Sequence, residues 1–467
     1  MSLVSIKKLY QHQININSMI IIQGWVKNKR DSKSGRSFID VYDGSCLFSI
    51  QIVADNMLCN YEKEILCLTS GCSISVSGKL VLSLGKEQKY DILASSVRVI
   101  GWVKNPNTYP ISSKKHTIDY LRENVQHLRS RTNFIGAMIR IRHVLVKALH
   151  DFFDKQDYYL ITTPIITNIN TEGAGEMFKV STLDFNNIPK KICGSVDYNK
   201  DFFRKESFLT VSGQLTLETY ACALSKVYTL GPVFRAENSN TSRHLSEFWM
   251  LEVEQAFFSL QDIQILSEKM LKYVIALVLQ ECKIDIDFFK KYFDPNIENR
   301  LKNFLEQDFI HIEYKEVIEI LLRSKMNFKN NVFYGVNLFK EHEKYIVETY
   351  FKKPVIITNY PKNIKAFYMR LNDDKKTVAA MDVLLPRIGE ILGGSQREER
   401  IHILDDRILE LGLKKQDYWW YRDLRHYGTV PHSGFGLGIE RLVSYVTGIK
   451  NIRDVIPFPR TIHHADF

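Results

Sequence analysis

The chain has 467 residues, and at about 100–200 residues per domain this length predicts two or three domains. Hydrophobic residues make up 45% and charged residues 25%, which excludes a disordered or fibrous chain and is typical of a globular one. A formal net charge of +10 is compatible with binding to a polyanion, although the abundance of Lys, Ile and Asn is equally typical of an AT-rich genome.

The ends, the cysteines and the apolar runs indicate a cytoplasmic protein. The first residues lack the apolar core of a signal peptide, and no apolar run approaches the roughly 20 residues of a membrane span. The seven cysteines are odd in number and form no C-x-x-C pair, which argues against a zinc ribbon or a disulfide framework. We therefore expect a reduced protein with no membrane association.

Residues 1–103 are predicted to form a small β-barrel. Five extended segments are predicted, at residues 19–26, 37–42, 47–53, 72–82 and 90–103. A helix-compatible stretch lies near Tyr61, between the third and fourth segments. Five strands with one short helix indicate an OB-fold, a common oligonucleotide binder, and another small barrel is the alternative.

Residues 104–132 are predicted to be a linker, because Pro106 and Pro110 favour an extended path. A long amphipathic helix over 133–156 follows, and then a strand that stops at Pro164. Further strands are predicted at 208–211, 227–234, 354–359, 366–371 and 378–385, and further helices at 215–224 and 260–281. Strands on both sides of a poorly patterned, charged segment, 283–348, indicate an α+β domain over 133–467 with an antiparallel sheet and a helical insertion.

A polar loop containing Arg235 and Arg243 connects two extended segments, so the region is predicted to be a hairpin. In the second segment, residues 247–254, glutamates and apolar side chains occupy both faces, which a simple core strand would avoid. This pattern favours a site that holds a polyanion beside an amine. A surface hairpin with a solvated charge cluster is the alternative.

Residues 434–441 are rich in glycine but do not form a dinucleotide fingerprint, because Ile439 stands where G-x-G-x-x-G needs its third glycine. The chain also lacks a P-loop motif. Glycines at alternate positions of a strand allow a flat group to approach the backbone, and a helix starting near Glu440 would bring Arg441 to the same place. A tight strand-to-helix turn is the alternative.

Two further segments carry polar groups of interest. Asp382 and Glu390 could share a magnesium ion, or be a strand-end charge and a turn residue; residues 390–399 are predicted to begin as a small-residue turn. Residues 171–178 are predicted to be a flexible loop around Glu172, and such loops are often lids and more often merely mobile.

Three segments together resemble the class II aminoacyl-tRNA synthetases of the aspartyl/asparaginyl/lysyl subgroup. The helix ending at Pro164 is similar to motif 1, residues 234–248 to motif 2 and residues 434–441 to motif 3. Along almost its full length the chain resembles bacterial asparaginyl-tRNA synthetases. The resemblance implies a class II catalytic domain, a homodimer formed through motif 1, and an anticodon-binding OB domain that contains Gly24-Trp25-Val26 and Arg30-Asp31.

The resemblance implies that ATP and Mg²⁺ take part in activating the amino acid. Arg235 would bind the α-phosphate and the amino acid carboxylate, Phe248 and Arg441 would sandwich the adenine, and Arg235, Arg441 and Glu390 would be the catalytic residues. The residues implied for ATP are Arg235, Glu237, Arg243, His244, Phe248, Glu390 and Arg441, and those for Mg²⁺ are Asp382 and Glu390.

The resemblance also implies which amino acid is used. Related aspartyl enzymes carry Gln-Leu-x-Lys-Gln, whereas this chain has Leu217 at the lysine position, followed by Glu218. A pocket without that lysine suits asparagine: Arg397 would donate to its carbonyl oxygen, Glu218 would accept from its amide, and like charge at Glu218 would repel aspartate. The residues implied for asparagine are Glu172, Ser212, Gln214, Glu218, Glu252 and Arg397.

For tRNA(Asn), the resemblance makes Phe38 a stacking platform for an anticodon base, with Arg30 and Gln51 making polar contacts to base edges. Phe38 could instead be a barrel-core residue. Lys114, Lys115 and Arg122 would contact tRNA phosphates, or are simply solvated.

Three other functions fit parts of the pattern. An aspartyl-tRNA synthetase is disfavoured by Leu217, and a stand-alone asparagine synthetase by the OB domain. A non-catalytic RNA-binding paralogue could have lost the ATP arginines, but Arg235, Arg243 and Arg441 are all present.

Overall fold

The structure, a computed structural model, describes residues 2–85, 88–111, 116–171, 176–239 and 241–467. The chain divides into two compact units, Met1–Arg140 with Phe467, and Ile141–Asp466. The described helices include none that is both long enough and apolar enough to cross a membrane.

The first unit is built on a barrel. Its strands and helices are β1 (Ser2–Leu3), α1 (Ile6–Tyr10), β2 (Met19–Ser32), β3 (Arg36–Tyr42), β4 (Ile50–Asp55), a π-type helix (Tyr61–Ile65), β5 (Ser73–Leu82), β6 (Tyr90–Gly101) and α2 (Ile118–Glu123). The strand order is β1-β2-β3-β4-β6-β5, and β2 also pairs with β5, which closes the five strands β2–β6. The predicted OB-fold is confirmed; β1 and α1 were not predicted.

Alternation along β3 decides which side chains fill the barrel. Ile39 and Val41 are fully buried in its core, whereas Phe38 and Asp40 are half-buried on the opposite face. Phe38 is therefore not a core residue, which removes the alternative interpretation of that side chain.

The second unit is built on an eight-stranded sheet. Its strands are β7 (Tyr159–Leu160), β8 (Ile166–Thr167), β9 (Lys179–Val180), β10 (Ser207–Leu209), β11 (Lys226–Phe234), β12 (Glu247–Ala256), β13 (Ile310–Glu313), β14 (Val355–Pro361), β15 (Thr377–Leu385), β16 (Gly389–Gln396) and β17 (His432–Gly438). The sheet has the order β13-β14-β15-β16-β17-β12-β11-β7, and β8, β10 and β9 form a separate small sheet. All neighbours in the large sheet are antiparallel except the two outermost pairs, β13–β14 and β11–β7.

Helices flank this sheet. They are α3 (Asn133–Asp154, which starts in the first unit), α4 (Gln214–Leu224), α5 (Leu260–Glu281), α6 (Lys283–Tyr292), α7 (Ile297–Glu306), α8 (Tyr314–Arg323), α9 (Lys340–Lys344), a π-type helix (Tyr345–Tyr350), α10 (Ile401–Glu410), α11 (Trp419–His426) and α12 (Ile439–Thr447). The α+β class and the antiparallel sheet are confirmed. Helix α12 begins one residue before the predicted start, directly after the glycine-rich strand.

Three local predictions were wrong. Residues 366–371 form no strand, because Phe367 and Tyr368 pack in a cluster with side chains of α10 and α11. Residues 390–396 form strand β16 rather than a turn, since their glycines lie between β15 and β17 and pair with both. The 283–348 segment is not purely helical: β13 lies in it and extends the large sheet by pairing with β14.

Candidate active site

Four strands of the large sheet carry polar groups and glycines at the same level. Glu252 of β12 lies opposite Gly436 of β17, Gly436 lies opposite Gly393 of β16, and Gly393 lies opposite Asp382 of β15. The two central glycines therefore form a low floor between two carboxylates. A cavity of about 640 Å³ lies above it, and its lining includes all four residues.

One wall of this cavity carries a carboxylate that can bind a cationic group. The carboxylate of Glu252 accepts a hydrogen bond from the Ser212 hydroxyl and another, of 2.9 Å, from the backbone N–H of Gly213. Ser212 Oγ in turn accepts from the backbone N–H of Gln214 at 3.1 Å. Ser212, Gln214 and Glu252 all line the cavity, so a buried carboxylate is held rigidly where an amine could meet it.

Arg397 lies elsewhere in the cavity wall and is almost fully buried. Its Nε is 3.2 Å from Oε2 of Glu254, and its Nη1 donates to Ser395 Oγ at 2.7 Å. The guanidinium also lies 5.3 Å from the centre of the Tyr368 ring. A Cβ at Gly434 would collide with the Glu254 carboxylate, so glycine at this position allows Glu254 to reach Arg397.

Glu218 lies behind the cavity rather than on its surface. It is fully buried, and its Oε2 accepts from Tyr421 Oη at 2.7 Å, Arg425 Nη2 at 3.1 Å and His432 Nε2 at 2.9 Å. Its Oε1 accepts from Gln214 Nε2 at 3.0 Å and is 3.9 Å from Nε of Arg397. Burial alone would raise the pKa of Glu218, but His432 and Arg425 hold it well below its usual range.

A smaller cavity of about 170 Å³ adjoins the first. Every residue predicted to bind ATP lines it, from Arg235, directly after β11, to Arg441 on α12. The guanidinium of Arg235 lies 5.5 Å from the centre of the Phe248 ring, and Nδ1 of His244 is 2.6 Å from Thr241 Oγ1. An arginine beside a half-buried aromatic ring provides a surface for a flat, anionic ligand such as a nucleotide.

A buried ion pair of Glu440 holds the backbone next to Arg441 in position. Glu440 accepts from Arg142 of α3 at 2.7 Å and from the backbone N–H of Trp249 at 3.0 Å, so it ties three elements together. Arg441 then donates from Nη1 to the backbone oxygen of Glu390 at 2.9 Å, and its Nη1 is 3.2 Å from Oε2 of that residue. No sequence pattern had singled out Arg142 as part of the site.

Asp382 and Glu390 converge over Gly393. A Cβ at Gly393 would lie 3.2 Å from Oε1 of Glu390 and 3.4 Å from Oδ1 of Asp382. Burial and the nearby Glu390 charge raise the pKa of Asp382, against the opposing effect of Lys365, whose Nζ is 2.7 Å away. Two carboxylates that repel each other across a glycine fit a hard divalent cation, which also takes phosphate oxygens as ligands.

The first unit has a separate polar surface on β2, β3 and β4. The Arg30 guanidinium lies 5.1 Å from the centre of the Phe38 ring and donates to Gln51 Oε1 at 3.1 Å. Arg30 is opposite Phe38 in the β2–β3 ladder. The three residues predicted for the anticodon therefore lie together on the outside of the barrel.

Among the described residues predicted for asparagine and Mg²⁺, all line the larger cavity except Glu218; they are Ser212, Gln214, Glu252, Arg397, Asp382 and Glu390. Glu172, Lys114 and Lys115 lie outside the described residues. Those that the sequence did not single out for the site are Glu254, Lys365, Tyr368, Tyr421, Arg425 and His432. The alternation of acids along β12 was a signal for Glu254, and His432 stands just before motif 3. The other four residues lie outside motifs 2 and 3 in the sequence.

Comparison with known proteins agrees with this geometry. Residues 119–462 match the family model described as tRNA synthetases class II (D, K and N), and residues 20–105 match an OB-fold nucleic acid binding domain. The asparagine–tRNA ligase of Buchnera aphidicola subsp. Acyrthosiphon pisum is 65% identical over 467 residues, covering 100% of both chains. That of Escherichia coli O139:H28 is 59% identical over the same length, again covering 100% of both chains.

Among solved structures, asparaginyl-tRNA synthetase from Pyrococcus horikoshii complexed with asparaginyl-adenylate matches with a TM-score of 0.83 and 32% identity, over 96% of each chain. The antiparallel sheet, its two adjoining cavities and the family match define a class II aminoacyl-tRNA synthetase, and the chain belongs to the D, K and N group of that family. Within the group, it is similar over its whole length to asparagine–tRNA ligases.

Proposed function

We infer that this protein is an asparagine–tRNA ligase, which activates asparagine with ATP and then transfers it to the 3′ end of tRNA(Asn). The observation that carries this proposal is that the two cavities share Arg235 and Glu390. An amino acid in the larger cavity and a nucleotide in the smaller one would therefore meet at Arg235. The names of the relatives at 59–65% identity support the same conclusion.

In the first step, a carboxylate oxygen of asparagine attacks the α-phosphorus of ATP, an O–P bond forms, and the bond to the β-phosphate breaks as pyrophosphate leaves. Arg235 would hold the amino acid carboxylate and the α-phosphate together, which suits its planar fork of donors. Phe248 and Arg441 would bind the adenine, Glu237 its edge, and Arg243 and His244 the terminal phosphates. Such a reaction is accelerated mainly by positioning and by charge stabilisation.

The amino group of asparagine would bind to Glu252, which Ser212 and Gly213 already orient. Ser212 and Gln214 line the same wall, and we propose that Glu172 also contributes to binding the amino group. Glu252 then supplies the negative charge that an ammonium group requires in a buried site.

Selection of asparagine over aspartate would depend on the charge around Arg397. Its positive charge is compensated by Glu254, and Oε1 of Glu218 lies 3.9 Å from the same nitrogen, Nε. A neutral carboxamide could accept a hydrogen bond from Arg397 without adding charge, whereas a third carboxylate would be repelled by the two that are already there. Oε1 of Glu218 already accepts a hydrogen bond from Gln214. Gln214 would have to release this oxygen before the amide of asparagine could donate to it directly.

Asp382 and Glu390 would hold Mg²⁺ against the ATP phosphates. The ion would supply positive charge to the phosphate oxygens as the α–β bond breaks. Lys365 and Arg441, which neutralise these carboxylates in the structure, would then be available to phosphate oxygens.

The barrel would bind the anticodon through Arg30, Phe38 and Gln51, and Arg122, Lys114 and Lys115 would contact the phosphates of the tRNA. A half-buried ring with a cation above it suits an unstacked base. In the second step, the terminal ribose of tRNA takes the asparaginyl group from the adenylate. We propose domain boundaries at 1–103, 104–132 and 133–467, and a cytoplasmic location consistent with this role.

We also propose a homodimer formed through motif 1. The motif ends in the edge strand β7, where Tyr159 is 61% and Leu160 is 49% exposed, and Ile165 and Ile166 beyond it are also exposed. An edge strand with exposed apolar side chains favours pairing with a second copy. Light scattering of the purified chain should give twice the mass of the monomer, and Leu160→Asp should shift it towards the monomer; a wild-type monomer would refute this.

The proposed function is tested by charging. Purified protein, ATP, Mg²⁺ and unfractionated bacterial tRNA should transfer labelled asparagine into acid-precipitable RNA. Labelled aspartate should give only background incorporation. The absence of asparagine incorporation, or equal incorporation of aspartate, would refute the proposal.

A further inference from the structure

A third cavity, of about 420 Å³, adjoins the proposed nucleotide pocket. Arg243, Arg441 and Ile452 line both cavities. The remaining lining comes from Ser242, from Arg300 of α7, from α9 and the π-type helix after it, from the turn between β15 and β16, and from the segment around the end of α12. Nothing in the proposed activation step uses this space.

The lining of this third cavity is strongly basic. Seven cationic side chains face one carboxylate, Glu348; the cations are Arg243, Arg300, Lys340, Lys344, Arg387, Arg441 and Lys450. A concave surface of a single charge sign concentrates oppositely charged small ions. The cavity is therefore suited to a compact polyanion.

The surrounding carboxylates compensate only part of this charge. Asp294 pairs with Arg300 at 3.1 Å and also with Arg387, Glu348 lies 3.9 Å from Lys344, and Glu390 lies 3.2 Å from Arg441. Lys340 and Lys450 make no ion pair within the described part of the chain. Nε of Arg300 is buried and has no hydrogen-bond partner among the described residues.

The cations also repel one another. The Arg243 charge, together with burial and Lys344, lowers the pKa of Lys340. Burial and Arg441 lower the pKa of Arg243, although Glu343 opposes them. An anion in the cavity would relieve this repulsion, so its binding would be favoured beyond its direct contacts.

We propose that this cavity is a second anion site, which receives inorganic pyrophosphate after it has left the terminal-phosphate position of the nucleotide pocket. The choice of pyrophosphate rests on the proposed function, since activation releases that product next to Arg243 and Arg441. When the P–O bond between the α- and β-phosphates breaks, its electron pair leaves with pyrophosphate. Pyrophosphate can therefore move past Arg243 and Arg441 into the third cavity without a further reactant. A site of this kind would draw the product away from the newly formed adenylate.

A titration with the ATP site already filled separates this site from the ATP site. The full chain is saturated with α,β-methylene-ATP and Mg²⁺, without amino acid or tRNA, and inorganic pyrophosphate is titrated in by calorimetry at low salt. One pyrophosphate should bind per chain. The variant Lys340→Gln/Lys344→Gln should weaken binding by about tenfold, because two charge-assisted contacts are lost.

The matched control is Lys325→Gln/Lys329→Gln, which removes the same charge from exposed lysines of the same 283–348 segment outside the cavity lining. It should bind pyrophosphate as the wild type does, and both variants should keep the wild-type thermal midpoint. In the exchange reaction, the KM for pyrophosphate should rise in the first variant while the KM for ATP stays unchanged.

Three results would overturn the proposal. Pyrophosphate could fail to bind when the nucleotide pocket is full, or it could bind equally to both double variants. The Lys340/Lys344 variant could also bind pyrophosphate normally but show a raised KM for tRNA, which would make the cavity a contact for the tRNA backbone. Since the titration uses no amino acid, the wrong amino acid specificity would refute the proposed function and leave this result standing.

Discussion

Arg397 and Glu254 form an ion pair across the large sheet, with Nε of Arg397 at 3.2 Å from Oε2 of Glu254 and side chains that are 3% and 1% exposed. The arginine lies directly after β16 and the glutamate on β12, with β17 between them. Because Gly434 of β17 has no side chain, Glu254 can cross this strand. The pair gives the larger cavity an arginine that offers hydrogen bonds while adding little net charge.

The first prediction concerns this pair. Glu254→Gln should raise the KM for asparagine by more than tenfold and leave the KM for ATP within about twofold, because Arg397 loses its positioning partner. The substitution also leaves the positive charge of Arg397 less compensated. The free energy of unfolding should therefore fall by about 3–5 kcal/mol, as it does when one partner of a buried ion pair is removed. Pyrophosphate exchange at varied asparagine and ATP concentrations measures the two KM values separately. An equal rise in both KM values would indicate a general structural defect instead.

The second prediction concerns pH. Burial opposes the lowering of the Glu218 pKa, but His432 and Arg425 hold it below the value of about 4.3 expected in the unfolded chain. A lowered pKa contributes stability that is complete above the unfolded pKa and is lost as the pH falls towards the folded one. Glu218→Gln should therefore lower the thermal midpoint clearly at pH 7, and the difference should shrink below about pH 4.

Glu298→Gln provides the control for that measurement. Its carboxylate pairs with Lys290 and Lys302 at 2.8 Å on the surface of the same unit, and these lysines lower its pKa to about 2. Exposed pairs contribute little to stability, so this substitution should barely move the midpoint at pH 7. A Glu218→Gln midpoint difference that stayed constant from pH 7 to pH 3 would contradict the assignment of Glu218 as the titrating group.

The sequence was sufficient to predict the elements whose periodicity is strong. Helix α3 and the barrel strands follow regular spacing, and the β17–α12 junction follows from alternating glycines before an apolar helix. Residues 390–396 were misread because glycine usually marks turns, whereas here it admits close neighbours on both sides of β16. Residues 366–371 were misread because burial against helices gives the same apolar run as a strand.

The candidate site also contains some residues that local sequence patterns predict and others that only the fold brings together. The three arginines of motifs 2 and 3 stand in local sequence patterns, and the structure brings Arg235, Arg243 and Arg441 to one pocket. Three partners of Glu218 lie more than 200 residues further along the chain, so only the folded chain brings Tyr421, Arg425 and His432 to it. Glu254 stood in a recognisable segment, but its role depends on Arg397 and on the missing side chain at Gly434.

The third prediction concerns the nucleotide pocket. Phe248→Ala should raise the KM for ATP by about tenfold, since aromatic stacking on a base contributes about 1–3 kcal/mol. The KM for asparagine should change little, because Phe248 does not line the larger cavity. Phe185→Ala, which removes a ring that is 80% exposed in the same unit, is the control and should leave both values unchanged. An unaltered KM for ATP in Phe248→Ala would remove the ring from adenine binding.

The fourth prediction concerns the barrel. Phe38→Ala should raise the KM for tRNA in charging by about tenfold, by the same stacking estimate, and leave amino acid activation unchanged. Phe48→Ala is a suitable control, because Phe48 is partly exposed in the same unit but packs against Tyr10, away from Arg30. Loss of activation together with charging would instead show that Phe38 is needed for folding.

If the larger cavity selects asparagine and Arg235 joins it to ATP, labelled pyrophosphate should exchange into ATP only when asparagine is present. The exchange is measured with each of the standard amino acids supplied separately and with Arg235→Ala as the inactive control. Exchange should occur with asparagine, stay at background with aspartate, and be absent in a folded Arg235→Ala variant. Exchange with aspartate equal to or faster than that with asparagine would contradict the selection of asparagine.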